Sequence, residues 1–337
     1  MMMLQPFMRR QSRNIAALVL ASTVSAMAMA QSEPSGQRSI GDWLNRVHQA
    51  AVGRAYTGTL IVSAGSAMST SKVWHVCDGN DQMEKVETLS GAPRTTIRHN
   101  SEVITFDPGT GKAFREKRES LGLFPELMKV PNGSLERFYL LERQGEDRVA
   151  GHMADVLTLL PRDDLRFGYK IWAEQSTGLV VKLQTLGEGR GVLEQVVFTE
   201  LNLNAPVEHA TLAAQMVATS GFQVFEPKLA KTTAEEQGWR LSHPVPGFVP
   251  MGCHVRADEA GNAVSGAPMQ WVFSDGLASV SLFVEQFDPA KHQREGAAVM
   301  GATHSLSRRL GEFWLTVLGE VPPLTLARFA QSLERLP

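Results

Sequence analysis

A mainly β (α+β) protein is predicted by three features of the 337-residue sequence. Short runs rich in β-branched and aromatic residues recur along it. Clusters of Gly, Pro, Asn and Asp separate those runs. No helix-period pattern alternates with them, as a parallel βαβ sheet would require. Many short strands in succession indicate an antiparallel sheet that curls toward a barrel, with a smaller β-rich unit behind it.

Before any strand comes a leader. Arg9, Arg10 and Arg13 open the chain, no acidic residue precedes Glu33, and an apolar run from Ile15 ends in Ala28-Met29-Ala30. A basic start, a short apolar stretch and an A-x-A ending describe a secretory signal peptide over residues 1–30. The rival reading, a retained anchor, needs about 20 apolar residues. No Cys stands at the cleavage position for a lipid anchor. Without the leader, 30 Lys+Arg face 35 Asp+Glu, a formal charge of −5 that disfavours a nucleic-acid partner. Two cysteines, Cys77 and Cys253, are too few for a disulfide-built secreted domain, so a bacterial periplasm is the expected address. They could pair, or remain two buried thiols; the second reading is favoured.

In chain order, Asp42 is placed to cap a short helix with Trp43, Leu44, Val47, Ala50 and Ala51 on one face and Gly53 at its end. Strands are expected at 56–63, 72–77, 83–89, 94–98 and 103–107, then at 154–160, 169–174, 179–186 and 192–203. Turn clusters such as Asp107-Pro108-Gly109 and Ser176-Thr177-Gly178 punctuate them. Residues 135–141 are left open between a helical turn and a crossing. The polar character of Lys228 to Gly238 suggests a linker over 209–238, between a first domain at 40–208 and a second at 239–337. In the second, 269–273 and 277–287 flank the turn Ser274-Asp275-Gly276, and 303–310 pairs with 312–318 around Gly311. Pro322-Pro323 starts a helix with Leu326, Phe329, Ala330 and Leu333 as its core stripe.

Catalytic and metal signals are weak. Ser69-Thr70-Ser71-Lys72 fits the S-x-x-K of serine enzymes, but that chemistry needs a helix start, and here an extended run follows. Asp163-Asp164 reads as solvated loop carboxylates. The nine histidines are scattered, with no H-E-x-x-H and no Cys pair at ligand spacing, so no metal or cofactor is expected. What remains is surface. Leu60, Val62, Trp74 and Val76 are candidate inner-face residues of an apolar ligand pocket, although core packing would select the same types. Lys112, Arg115, Lys117 and Arg118, with Arg308 and Arg309, are candidate contacts to a partner or anion, the alternative being solvated strand faces.

An ordered set of short motifs then resembles the RseB/MucB family of periplasmic regulators of an envelope-stress sigma factor. In the first domain these are Tyr56-x-Gly58-Thr59-Leu60, Trp74-His75, the run from Glu84 to Pro93, Ile97-Arg98, Arg148-Val149-Ala150-Gly151, and Tyr169-x-Ile171-Trp172 before Thr177-Gly178-Leu179. In the second they are Trp239, Pro246-x-Phe248, Phe273-Ser274-Asp275-Gly276-Leu277 and Gly319-Glu320-Val321-Pro322-Pro323, then Thr325, Arg328 and Ala330. Ile104 and Phe106 stand where the family pattern often carries a Cys, so no family disulfide carries over. The resemblance implies a half-open barrel of the lipoprotein-carrier type and a smaller domain that grips a partner. That partner would be the periplasmic part of a membrane-bound anti-sigma factor, shielded from proteolysis until misplaced lipopolysaccharide or lipoprotein acyl chains displace the regulator. A lipid or lipoprotein carrier is the alternative, and homo-oligomerisation stays open.

Overall fold

Ser39 starts the first element, α1 (Ile40–Val52), by a reciprocal cap: its hydroxyl accepts from the Asp42 backbone at 3.0 Å, and the Asp42 carboxylate accepts from the Ser39 backbone at 3.1 Å. Asp42 is thus the third helical residue and Ser39 the cap. The computed structural model describes residues 39–79, 81–117, 135–264 and 266–337, which pack as one unit. The expected leader at 1–30 and Arg118 lie outside the described residues.

The large sheet comprises β1 (Tyr56–Ala64), β2 (Ala67–Asp78), β3 (Asp81–Thr88), β4 (Thr95–His99), β5 (Glu102–Asp107), β6 (Lys112–Lys117), β7 (Tyr139–Val149), β8 (His152–Pro161), β9 (Gly168–Glu174), β10 (Val180–Leu186), β11 (Val192–Asn202) and β12 (Gln223–Phe225). Their spatial order is β12-β6-β5-β4-β3-β2-β1-β11-β10-β9-β8-β7. Two antiparallel meanders meet where β1 pairs with β11. Among the described residues β7 and β12 are the sheet's edges, so the sheet stays open, as a half-barrel does. The strand at β7 escaped the sequence reading because most of it is exposed, and an edge strand does not show the apolar alternation that marks a covered one.

Directly paired residues of adjacent strands share a face. Trp43, Leu44 and Val47 of α1 pack on the face that carries Leu157, Leu159 and Ile171. The helix α2 (His209–Val217) covers Met83, Ile97 and Ile104 with Leu212 and Met216. The segment expected as a linker therefore supplies α2, the parallel edge strand β12, and β13 (Leu229–Thr232) of the second sheet. Two motif residues also find a physical role. Glu84 and Arg98 stand opposite each other on β3 and β4 and form a buried ion pair at 3.2 Å. Beside them, His75 contacts the Arg54 carbonyl at 2.7 Å and stacks on Tyr56.

The second sheet has the order β13-β15-β16-β17-β20-β19-β18. After β14 (Trp239–Leu241) come β15 (Val249–Arg256), β16 (Met269–Ser274), β17 (Ser279–Gln286), β18 (Gly296–Met300), β19 (Thr303–Leu310) and β20 (Phe313–Gly319). Val280, Leu282 and Val284 face its core, with Leu315, Val317 and Phe329. Pro323 opens the covering helix α3 (Pro323–Ser332), and β21 (Leu333–Arg335) pairs with β14. Both predicted hairpins form in their expected places. Cys77 and Cys253 are free thiols; burial pushes the Cys253 thiol up to about 11.

Candidate functional site

The two sheets meet around one guanidinium. Arg166, in the loop between β8 and β9, has a fully buried side chain. Its Nε donates to Asp275 Oδ2 at 2.7 Å, Nη1 to Asp163 Oδ2 at 2.5 Å, and Nη2 to the Pro246 carbonyl at 2.6 Å. Phe138 and Phe248 stack on it, with ring centroids 4.2 and 5.0 Å away. Asp275 is equally buried; Oδ1 accepts from the backbones of Leu277 and Ala278, and Oδ2 also accepts from Tyr139 Oη at 3.2 Å. Burial, with the Asp275 charge added to it, pushes the Tyr139 hydroxyl far above its ordinary range. Thr325 of α3 donates to the Leu165 carbonyl at 2.7 Å. A buried charge survives only when paired and hydrogen-bonded, and this pair meets that condition from both sheets at once.

Gly247 makes the room. A Cβ there would lie 2.0 Å from Arg166 Nη2, and the backbone has φ +82°. This explains why the Pro246-x-Phe248 motif has no side chain between its two named residues.

A second contact lies further along the junction. Gly301 sits against Ala64 and Glu194, where a Cβ would come within 2.6 Å of Ala64 Cβ. Glu194 Oε2 accepts from the Ala302 backbone at 3.4 Å. The Glu320 carboxyl is pushed up by burial and then by the neighbouring Glu194 charge.

The four expected pocket residues do not come together. Leu60 pairs with Ser71 and Gly58 with Val73, so Leu60 and Val62 share the face of Val73, while Trp74 and Val76 point to the other. Leu60 is core, and Val76 packs in the cluster covered by α2. Trp74 lies between Lys72 and Lys85, whose ammonium groups stand 5.3 and 4.7 Å from its ring. An apolar cleft lies elsewhere, between α1 and strands β7 to β9, lined by Trp43, Leu44, Val47, Leu141, Leu157 and Ile171 among others. It encloses about 260 Å³, counting the part open to solvent, below the roughly 300–1,000 Å³ of ordinary ligand pockets.

The basic residues are also dispersed. Arg115 on β6 approaches Glu226 at 3.9 Å, and Lys117 is exposed on the same strand, while Lys112 is on the opposite face beside Phe225. Arg308 pairs with Leu315 and turns to the face of Leu306, whereas Arg309 turns away, over Phe287 at 4.0 Å and toward Glu312 at 3.7 Å. Among the described residues, neither group gathers all its cations on one face. Ser69 and Lys72 fall on β2, three residues apart and on opposite faces, so no hydroxyl–amine pair forms. Surface open to a partner is found instead at β18, an edge strand whose five residues are all exposed, Val299 and Met300 among them. Such an edge offers unpaired backbone groups to an added strand.

The histidines, scattered in sequence, are not all scattered in space. Asp81, His99 and His209 bring their ligand atoms within 4.8 Å of one another. The contact to His99 holds the Asp81 carboxyl below its usual range.

Comparison with known proteins places this architecture. The sequence pattern of the MucB/RseB N-terminal domain matches residues 39–216, and that of the MucB/RseB C-terminal domain matches residues 233–334. The "Sigma factor AlgU regulatory protein MucB" of Pseudomonas aeruginosa is 31% identical over 299 residues, 87% of this chain and 90% of that protein. The "Sigma-E factor regulatory protein RseB" of Haemophilus influenzae is 23% identical over 330 residues, 97% of this chain and 99% of that protein. Among solved structures, MucB in complex with MucA(peri) aligns with a TM-score of 0.67 at 27% identity, covering 89% of this chain and 100% of that one. With both domain patterns matched in order and the two-sheet fold shared, the chain belongs to the MucB/RseB family.

Proposed function

We propose that this protein is a periplasmic negative regulator that binds the periplasmic part of a membrane-bound anti-sigma factor, shields it from proteolysis, and is released by misplaced lipopolysaccharide or lipoprotein acyl chains. The observation that carries the reading is the fold shared, over 89% of the chain, with a MucB captured in complex with MucA(peri). Its curated relatives are sigma factor regulatory proteins. Two sheets fixed at a buried junction, with an exposed strand edge at β18, suit a protein whose role is to hold a polypeptide. A catalytic role has no comparable support, since Ser69 and Lys72 diverge. Export would follow from the leader at residues 1–30, and among the described residues no helix is long and apolar enough to cross a membrane.

Lipid release requires the lipid to bind the free protein more tightly than the complex, since equal affinities shift nothing. The cleft beneath α1 is the natural entry, and its small size means that α1 must lift from Leu157 and Ile171 to admit a chain. A simple carrier would need only the large sheet, which weighs against that reading. The test is the cleavage rate of the anti-sigma periplasmic segment by its initiating protease. The protein should slow it, and added lipopolysaccharide should restore it. An unchanged rate with and without the protein would refute the shielding role.

A further inference from the structure

We infer that Asp81, His99 and His209 form a binding site for a divalent transition metal ion of the zinc class. Asp81 begins β3, His99 ends β4, and His209 is the first residue of α2, so three elements meet at the site. His99 Nε2 lies 2.5 Å from Asp81 Oδ1, and His209 Nε2 lies 3.0 Å from Asp81 Oδ2. The two imidazoles meet edge to face, with centroids 5.6 Å apart. Asn100 Nδ2 donates to Asp81 Oδ1 at 3.0 Å, the outer-shell support that metal-binding carboxylates commonly have.

One atom points to a ligand. His209 Nε2 is shielded from solvent and, despite its nearness to Asp81, has no hydrogen bond of acceptable geometry. A shielded ring nitrogen that meets its carboxylate neighbour outside hydrogen-bond geometry is poorly satisfied, and a metal ion between the two would take up its lone pair. Two imidazole nitrogens and one carboxylate oxygen are the donors zinc takes, at about 2.0–2.2 Å, which in a tetrahedron puts ligand atoms about 3.3 Å apart. The two histidines touch different oxygens of Asp81, and all three ligand atoms lie within 4.8 Å of one another, so adjustments of up to about 1.5 Å would bring them to tetrahedral spacing. The side chains are part-exposed, from 30% for His209 to 43% for Asp81, which gives an ion a path in and leaves the fourth position to water. Asp78, exposed and paired with Asp81 across the β2–β3 turn, is a further carboxylate at the rim. An occupied site would rivet α2 to the sheet. That matters because α2 leads directly into β12, the edge strand before the chain crosses to the second sheet.

The test uses the untagged mature protein, stripped of metal. Calorimetric titration with Zn²⁺ should give one site, Co²⁺ should develop the visible bands of a low-coordinate complex, and Mg²⁺ should not compete. His99→Gln, His209→Gln and Asp81→Asn should each weaken Zn²⁺ binding at least tenfold, with the metal-free circular dichroism unchanged. Because a substitution can disturb the fold, the wild-type protein is also read by the side-chain ¹⁵N resonances of its histidines. Zn²⁺ should shift those of His99 and His209. Absence of binding, binding that the three variants retain, or shifts confined to other histidines would each overturn the assignment.

Discussion

Two contact regions between the sheets handle charge in opposite ways. At Arg166 and Asp275 a cation and an anion lie together, every strong donor and acceptor partnered from both sheets. At Glu194 and Glu320 two half-buried carboxylates are neighbours, and Glu320, just after β20, holds its proton to higher pH than usual, first because of burial and then because of the Glu194 charge. The first arrangement fixes one relative position of the sheets. The second does not reward that position at neutral pH. Closeness alone therefore does not lock two layers together; the signs of the charges and the completeness of their hydrogen bonding decide.

The largest effect that would break this comparison is at Arg166. Arg166→Met leaves Asp275 charged and buried, and should cost roughly 3–5 kcal/mol, read by equilibrium denaturant unfolding. Arg166→Met combined with Asp275→Asn should cost less than the sum of the two single changes, because the pair acts as a unit. Additive costs would mean that the ion pair does not couple the sheets. Next comes Tyr139→Phe, which removes one of several bonds to Asp275 and should cost about 1 kcal/mol in the same assay. The smallest effect is Glu320→Gln. Since the folded protein holds the Glu320 proton above its ordinary value of 4.5, that stabilisation is full below 4.5 and is lost as pH rises through the folded-state value. The stability of the Gln variant relative to wild type should therefore grow between pH 4 and pH 7; a pH-independent difference would remove the second region from the comparison.

Much of the fold was legible because it is written locally. The runs at 269–273 and 277–287, the turn at 274–276 between them, and the Pro322-Pro323 start of α3 each lie within a few residues, and each forms as read. Asp275 was legible only as a turn residue. Its other role requires Arg166, 109 positions earlier, and nothing in a loop sequence announces a guanidinium that will be buried by a second sheet. Asp163 was read as a solvated carboxylate for the same reason, yet it binds Arg166. The pocket failed on parity. Leu60 and Trp74 sit on neighbouring strands, and only the register, Gly58 against Val73, tells which residues share a face. His99 and His209 meet because α2 folds back on β3 and β4, in a stretch whose sequence looked like a connection.

The pairing of β1 with β11 also bears on how the protein is made. Thr57 must find Asn202, so the central seam of the large sheet is a non-local closure that cannot form until β11 is available. Such topologies reach the native state slowly. Until β11 arrives, β1 is a raw edge, open to pairing with another copy. Its folding should consequently lean on holdase chaperones, and slowing the arrival of β11 should raise the share lost to aggregation.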